Sequence, residues 1–193
     1  MYRRTRPPTL VLGVTPTGVE VAANASKAMS AEFDVIVAAH VRLEGLGIIG
    51  ALAEDGDAVL DSEFQPRFGM IDALNEAIDR ARRAVKSERL LFRGPRPLRS
   101  VEGRNVVIVD GHLTSPWKVL AAVEAVRQAG PANVIVGAPV STHPVQDLLI
   151  ARRVEFVCPS VLMDPGGHPH PFGDPQDPSA ERLRSIVVAR EAA

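Results

Sequence analysis

Hydrophobic positions fall along this chain in two spacings. Short unbroken apolar runs cover residues 9–14, 33–40, 105–110, 132–140 and 154–157. None alternates with polar residues, as a sheet with one wet face would. They therefore predict strands buried on both sides, as in a parallel sheet covered by helices. Elsewhere the apolar positions recur every three or four residues. Phe68, Ile71, Leu74, Ile78, Ala81 and Val85 mark the core face of a helix over 68–90. Val119, Ala122, Val123 and Val126 do the same for a helix opening on Pro116. An alanine-rich segment at 19–29, a short one at 145–151 and a last one at 178–190, capped by Ser179, complete the helices. Residues 48–53 and 58–60, split by Glu54-Asp-Gly-Asp57, read as a hairpin. The pattern predicts an α/β fold, a mainly parallel central sheet flanked by helices on both faces, with a small hairpin beside it.

Punctuation is sharpest between residues 105 and 140. The strand at 105–110 leads into a loop, Gly111-His-Leu-Thr-Ser115, and then into the helix. Ser115 suits an N-cap and Pro116 the first helical position, where its missing N–H costs nothing. Gly130 suits the position just past the helix end, and Pro131 stops continuation. A loop between a parallel strand and a helix N-terminus offers free N–H groups and the positive end of the dipole to an anion. Such loops are also ordinary turns in every α/β protein, so shape alone leaves both readings open.

Composition narrows the classes. The chain has 193 residues and a formal net charge of −1, with no basic excess that would mark a nucleic-acid binder. One cysteine, Cys158, excludes an intrachain disulfide framework. No apolar run approaches the ~20 residues of a membrane span, and no signal peptide is visible, so a soluble cytoplasmic protein is expected. Residues 1–8, with Arg3, Arg4 and Arg6, read as a basic arm, and 9–193 as a single domain.

The residues of the loop region resemble a known family. Val107-Ile-Val-Asp-Gly-His-Leu-Thr-Ser-Pro-Trp-Lys118 is similar to the phosphoribosyl-diphosphate (PRPP) loop of type I phosphoribosyltransferases. Upstream, Leu10-Val-Leu-Gly-Val-Thr-Pro-Thr-Gly-Val-Glu-Val-Ala22 resembles the family's first strand and pyrophosphate loop. The run 34–39 resembles its second strand, 50–61 its hairpin and 154–159 its last core strand. The resemblance implies a glycosyltransferase of nucleotide metabolism, with a small hood over the ligand. Its partner would be a small molecule, PRPP or another phosphorylated ribose or nucleotide, with Mg²⁺ accompanying PRPP. Self-association into a homo-oligomer is left open, and neither nucleic acid nor membrane is expected as a partner.

Carried residue by residue, the resemblance assigns Asp110 to the ribose hydroxyls as the catalytic residue. Gly111, His112, Leu113, Thr114, Ser115 and Lys118 fall to the 5′-phosphate, and Thr15, Thr17 and Gly18 to pyrophosphate. Arg42 would supply a nearby cation. The departures are as informative. The family carries two adjacent acids where this chain has Asp110-Gly111, and an arginine in the pyrophosphate loop where it has Thr15-Pro-Thr-Gly18. A basic pair after the second strand is replaced by Ala39 and His40. Slow or absent transfer is therefore expected, from either a divergent enzyme or a binding protein without turnover. Replacing Gly111 by Asp is expected to strengthen ribose binding. Arg93, Arg96 and Arg99 fall where the family has a mobile loop, and His143 falls at a third strand-end loop. His168 and His170, flanked by Asp164 and Asp174, form an H-x-H pair with no third ligand at a diagnostic spacing, so no metal site is assigned.

Overall fold

The continuous apolar runs supply the five strands of a central sheet. The structure, a computed structural model, describes residues 8–67, 69–163 and 178–191. In chain order the elements are β1 (Thr9–Gly13), α1 (Pro16–Ala28), β2 (Glu32–Val35), β3 (Ala38–Leu43), β4 (Gly47–Ala53), β5 (Val59–Leu60), α2 (Ile71–Arg93), β6 (Asn105–Val109), α3 (Trp117–Gln128), β7 (Asn133–Gly137), β8 (Val140–Thr142), α4 (His143–Ala151), β9 (Glu155–Val157), β10 (Ser160–Leu162) and α5 (Ala180–Glu191). Five strands make the central sheet in the order β2-β1-β6-β7-β9, each pair parallel.

Both faces of that sheet are covered by helices at β2, β1 and β6, which is why those strands carry no alternation, whereas β7 and β9 leave one face partly exposed. Leu10, Leu12, Val106, Ile108 and Val136 join the apolar stripe of α3, Val119, Ala122, Val123 and Val126, in one cluster. Val11, Phe33, Val35 and Val109 join Val19 and Ala22 of α1 and Leu183 and Val187 of α5 in the other. Fully burying a side chain of this size contributes about 1.5–3 kcal/mol, so the two clusters fix which helix lies on which face. Among the described residues no helix is long and apolar enough to cross a membrane.

Four boundaries differ from the sequence reading, each for a local reason. The run 33–40 is divided between two sheets. β2 ends at Val35, and β3 starts a three-stranded antiparallel sheet, β3-β4-β5. No glycine or proline marks this switch. It is held instead by Glu54, whose side chain accepts from the Val37 N–H at 2.9 Å while its own N–H donates to the Val37 carbonyl. The expected loop at 41–47 is mostly strand, with the turn confined to 44–46 and Gly45 and Gly47 at positive φ. The run 132–140 stops at Gly137, ahead of Pro139, and Val140–Thr142 pairs in parallel with Ser160–Leu162. The long helix begins at Ile71, after Gly69 at φ 87°, and runs on to Arg93, so that Ile71 is exposed. Phe68, the arm at 1–7 and the histidine-containing segment at 164–177 lie outside the described residues.

Candidate functional site at the ends of β1 and β6

β1 and β6 are neighbours, and the helices that follow them cover opposite faces of the sheet. Their C-terminal ends thus part around a crevice, the usual ligand position in open α/β sheets. A cavity of about 370 Å³ lies there, lined by Thr15, Pro16, Thr17, His40, Asp110, His112, Thr114, Ser115 and Lys118.

One hydroxyl joins the two loops. Thr15 caps α1, its Oγ1 accepting from the Gly18 N–H at 3.1 Å. The same Oγ1 donates to Asp110 Oδ1 at 2.9 Å. The His112 N–H donates to that carboxylate oxygen as well, also at 2.9 Å. Burial pushes the Asp110 carboxyl above its ordinary range, and these two donors and Lys118 only partly oppose it. The loops meet too closely for side chains at two points. A Cβ on Gly18 would lie 2.6 Å from the Val109 carbonyl oxygen, and one on Gly111 would lie 2.5 Å from Thr17 Cβ and 2.7 Å from its carbonyl carbon. Glycine at these positions is therefore a condition of the crevice closing to this width.

Lys118 stands in the first turn of α3 and in the pocket wall. Opposite it, His40 comes in from β3. Burial first, and then the charges of Lys118 and Arg42, hold the His40 ring down at about 4, so it is neutral at physiological pH. The pocket thus presents one carboxylate, one ammonium, four hydroxyl side chains from Thr15, Thr17, Thr114 and Ser115, and two imidazoles, of which that of His40 is uncharged.

Known proteins give this geometry its context. No family model matches the chain. Two Mycobacterium tuberculosis proteins, from strains CDC 1551 / Oshkosh and ATCC 25618 / H37Rv, are each named "Putative phosphoribosyl transferase". Each is 28% identical over 156 residues, covering 77% of this chain and 34% of its own length. The chain thus spans about a third of the length of these curated relatives. The crystal structure of TT1426 from Thermus thermophilus matches with a TM-score of 0.75 and 28% identity, over 96% of this chain and 89% of that one. The chain is thus similar in sequence to proteins named putative phosphoribosyl transferases and similar in fold to TT1426.

In this crevice, seven of the residues named from sequence come together: Asp110, Thr15, Thr17, His112, Thr114, Ser115 and Lys118. Four do not line it. Leu113 is fully buried in the core, anchored by its N–H to the Val140 carbonyl and by Ser141 Oγ to its own carbonyl. Arg42 is exposed on β3 and acts on the site through its charge on His40. Gly18 and Gly111 contribute close packing. The contact between Gly111 and Thr17 also corrects the expectation for Gly111→Asp, because the new side chain would collide with Thr17 before it met a ligand. Ser115 does not cap α3, whose boundary residue is Pro116 with no side-chain cap bond, and its hydroxyl side chain stays in the pocket wall.

The arginines expected in a mobile loop are engaged in ion pairs. Arg93 is buried and paired with Glu54, with Asp34 4.0 Å away. Arg96 holds Asp34 with two bonds of 2.8 and 2.9 Å, and Arg99 reaches Glu32 at 3.2 Å. His143 opens α4 as an exposed residue. Pro16 and His40 are the lining residues that the sequence reading left out. Two signals pointed to His40: it falls where the resembled family carries a basic pair, and its place two residues after Ala38 in an apolar run gives it the same face as Ala38.

Proposed function

We propose that this pocket binds a ribose carrying a 5′-phosphate, as PRPP or a nucleotide, and that any phosphoribosyl transfer it performs is slow. One observation carries the reading. Asp110 is buried at the end of β6, held by a hydroxyl and an amide, at the head of a loop that leads through Thr114 and Ser115 to Lys118. A carboxylate so placed suits vicinal hydroxyls, while hydroxyl groups, loop N–H groups and an ammonium suit a phosphate.

In transfer from PRPP, the bond from C1 of the ribose to the pyrophosphate oxygen breaks and a bond from C1 to the acceptor forms. The protein's main task is to hold the sugar and neutralise the departing pyrophosphate. Thr15 and Thr17 offer that group hydroxyls and Lys118 offers charge, while Arg93, Arg96 and Arg99 are committed to Glu54, Asp34 and Glu32. Mg²⁺ is commonly held by one or two carboxylates together with substrate phosphates. Asp110 is the carboxylate in the pocket wall that could take a share of such an ion, whose contribution would be neutralising the pyrophosphate. The shortage of cations also favours a second reading, a protein that binds the phosphorylated ribose for regulation and does not turn it over.

Isothermal titration with PRPP, ribose 5-phosphate and nucleoside monophosphates, each with and without Mg²⁺, tests binding. Release of pyrophosphate from PRPP in the presence of purine and pyrimidine bases separates the two readings. Binding of ribose 5-phosphate with turnover far below ~10 s⁻¹, an ordinary enzyme rate, is expected. Turnover near that rate would contradict slow transfer, and failure of every phosphorylated ribose to bind would contradict the assignment itself.

A further inference from the structure

His40 stands in the wall of the pocket, and one of its ring nitrogens has nothing among the described residues to bond. Its Nε2 is buried and has no hydrogen-bond partner there, although the residue lines the cavity. A buried polar atom left this way is costly, and natural structures seldom keep one without a use. β3 explains the placement. Ala38 packs in the cluster of α3, and Ala39 and Val41 pack in the cluster of α2, so His40 is turned toward α3. Its register partner on β4 is Ala51, too small to fill the space or to supply a partner.

The charged and titratable groups around the ring come from several elements. Arg42 follows on its own strand, Lys118 comes from α3, and Asp110 and His112 come from the loop between β6 and α3. Thr15 and Thr17 of the first turn of α1 carry no charge, and α2 lies behind the other face of β3. The two charges acting on the ring are those of Lys118 and Arg42, both positive. Together with burial they exclude the proton while the pocket holds no anion.

We propose that His40 is an anion-binding residue charged by its own ligand: as phosphate oxygens enter the pocket, the ring takes a proton from solution and donates Nε2–H to them. The proposal rests on the phosphorylated-ribose reading and deepens it. An entering dianion offsets the field of Lys118 and Arg42 and gives Nε2 an acceptor, and both effects favour the imidazolium. No bond breaks in the protein, and the proton gained on Nε2 is lost by the solvent. The chain thus avoids three adjacent cations when no ligand is present and gains a third when one arrives.

Linkage sets the sign. The free ring titrates at about 4 and the liganded ring higher. Affinity is therefore greatest at low pH, falls as pH rises from the free value to the liganded one by at most about tenfold per pH unit for one proton, and levels off above it.

The test titrates ribose 5-phosphate calorimetrically into the full chain from about pH 5.5 to 8, a window that spans ordinary histidine titration, in two buffers of different ionisation enthalpy. Wild type is compared with His40→Gln. Ionisation of the ligand itself is common to both and cancels in the difference. Wild type is expected to take up more protons than the variant, by up to one per ligand, and its affinity advantage should shrink as pH rises. Equal uptake with a pH-independent affinity ratio would overturn the proposal while leaving the phosphorylated-ribose reading intact. No binding of ribose 5-phosphate to wild type would overturn both. If His40→Gln does not fold, the ring proton resonances of His40 in wild type decide the matter. Their titration midpoint should move up when ribose 5-phosphate is added, and an unmoved midpoint would reject the proposal.

Discussion

Asp34 and Asp110 are both buried aspartates near the C-terminal ends of strands in the same parallel sheet, yet they are used differently. Asp34 is saturated. Its Oδ1 accepts from the Val35 N–H at 2.8 Å and from Arg96, and its Oδ2 accepts from Arg96 and from the Arg99 N–H. Beside it, Arg93 pairs with Glu54, whose other oxygen holds the Val37 N–H. This cluster ties the end of α2 and the segment after it to the point where the chain leaves one sheet for the other. Among the described residues, Asp110 has two neutral donors, both on Oδ1. Lys118 acts on it through space. A buried acid with complete arginine partners serves as a clamp, whereas one held in place by neutral donors retains bonding capacity for something that arrives.

The contrast breaks most sharply at Arg93. Removing it leaves Glu54 buried without its countercharge, so Arg93→Ala is expected to cost about 3–5 kcal/mol in denaturant unfolding. A loss below ~1 kcal/mol, the level of an exposed pair, would mean the cluster is not a clamp. Gly111→Asp comes next. Its Cβ meets Thr17, and overpacking of this kind costs about 1–3 kcal/mol and should widen the crevice enough to weaken ribose 5-phosphate binding. Tighter binding by this variant would show that the crevice yields easily and that the missing second acid is the real deficit.

Lys118→Ala should separate binding from stability. Loss of a charge-assisted contact is expected to weaken ribose 5-phosphate by roughly 1–2 kcal/mol in titration calorimetry. Stability should be unchanged or slightly better, because a lysine in the first turn opposes the positive end of the helix dipole. The smallest effect belongs to Asp110. Its folded-state value is raised above the unfolded one, so the folded chain favours the protonated acid. Its contribution to stability is then best below the unfolded value and declines as pH rises through the folded value. Asp110→Asn should therefore gain stability relative to wild type more at about pH 7 than at about pH 4, near the unfolded value, in paired urea melts, while losing ligand. A gap independent of pH would remove Asp110 from the category of strained, ligand-directed acids.

The parts of this structure that were legible in sequence are those with local punctuation. Gly130 closes α3 at φ 70°, as its position before Pro131 suggests, and the strand, loop and helix around Asp110 follow in the expected order. Thr15 and Asp110 could each be named, but their mutual bond spans 95 residues and has no local signature. His40 was missed because Ile36 and Val37 carry the apolar run across a change of sheet without a turn residue. The arginines at 93–99 were misplaced because an ion pair between positions 39 or 62 residues apart leaves no periodic trace. Sequence pattern reports burial and turns well. It is silent on which buried charge meets which partner.

The measurement that tests the division most directly is a titration of wild type with ribose 5-phosphate, followed through the backbone amide resonances. The account predicts that shifts concentrate at Thr15, Thr17, Gly18, Gly111, His112, Thr114, Ser115 and Lys118, with saturation. Asp34, Glu54, Arg93 and Arg99 should stay in place. Shifts centred on the arginine cluster, or no saturable shifts at the ends of β1 and β6, would contradict it.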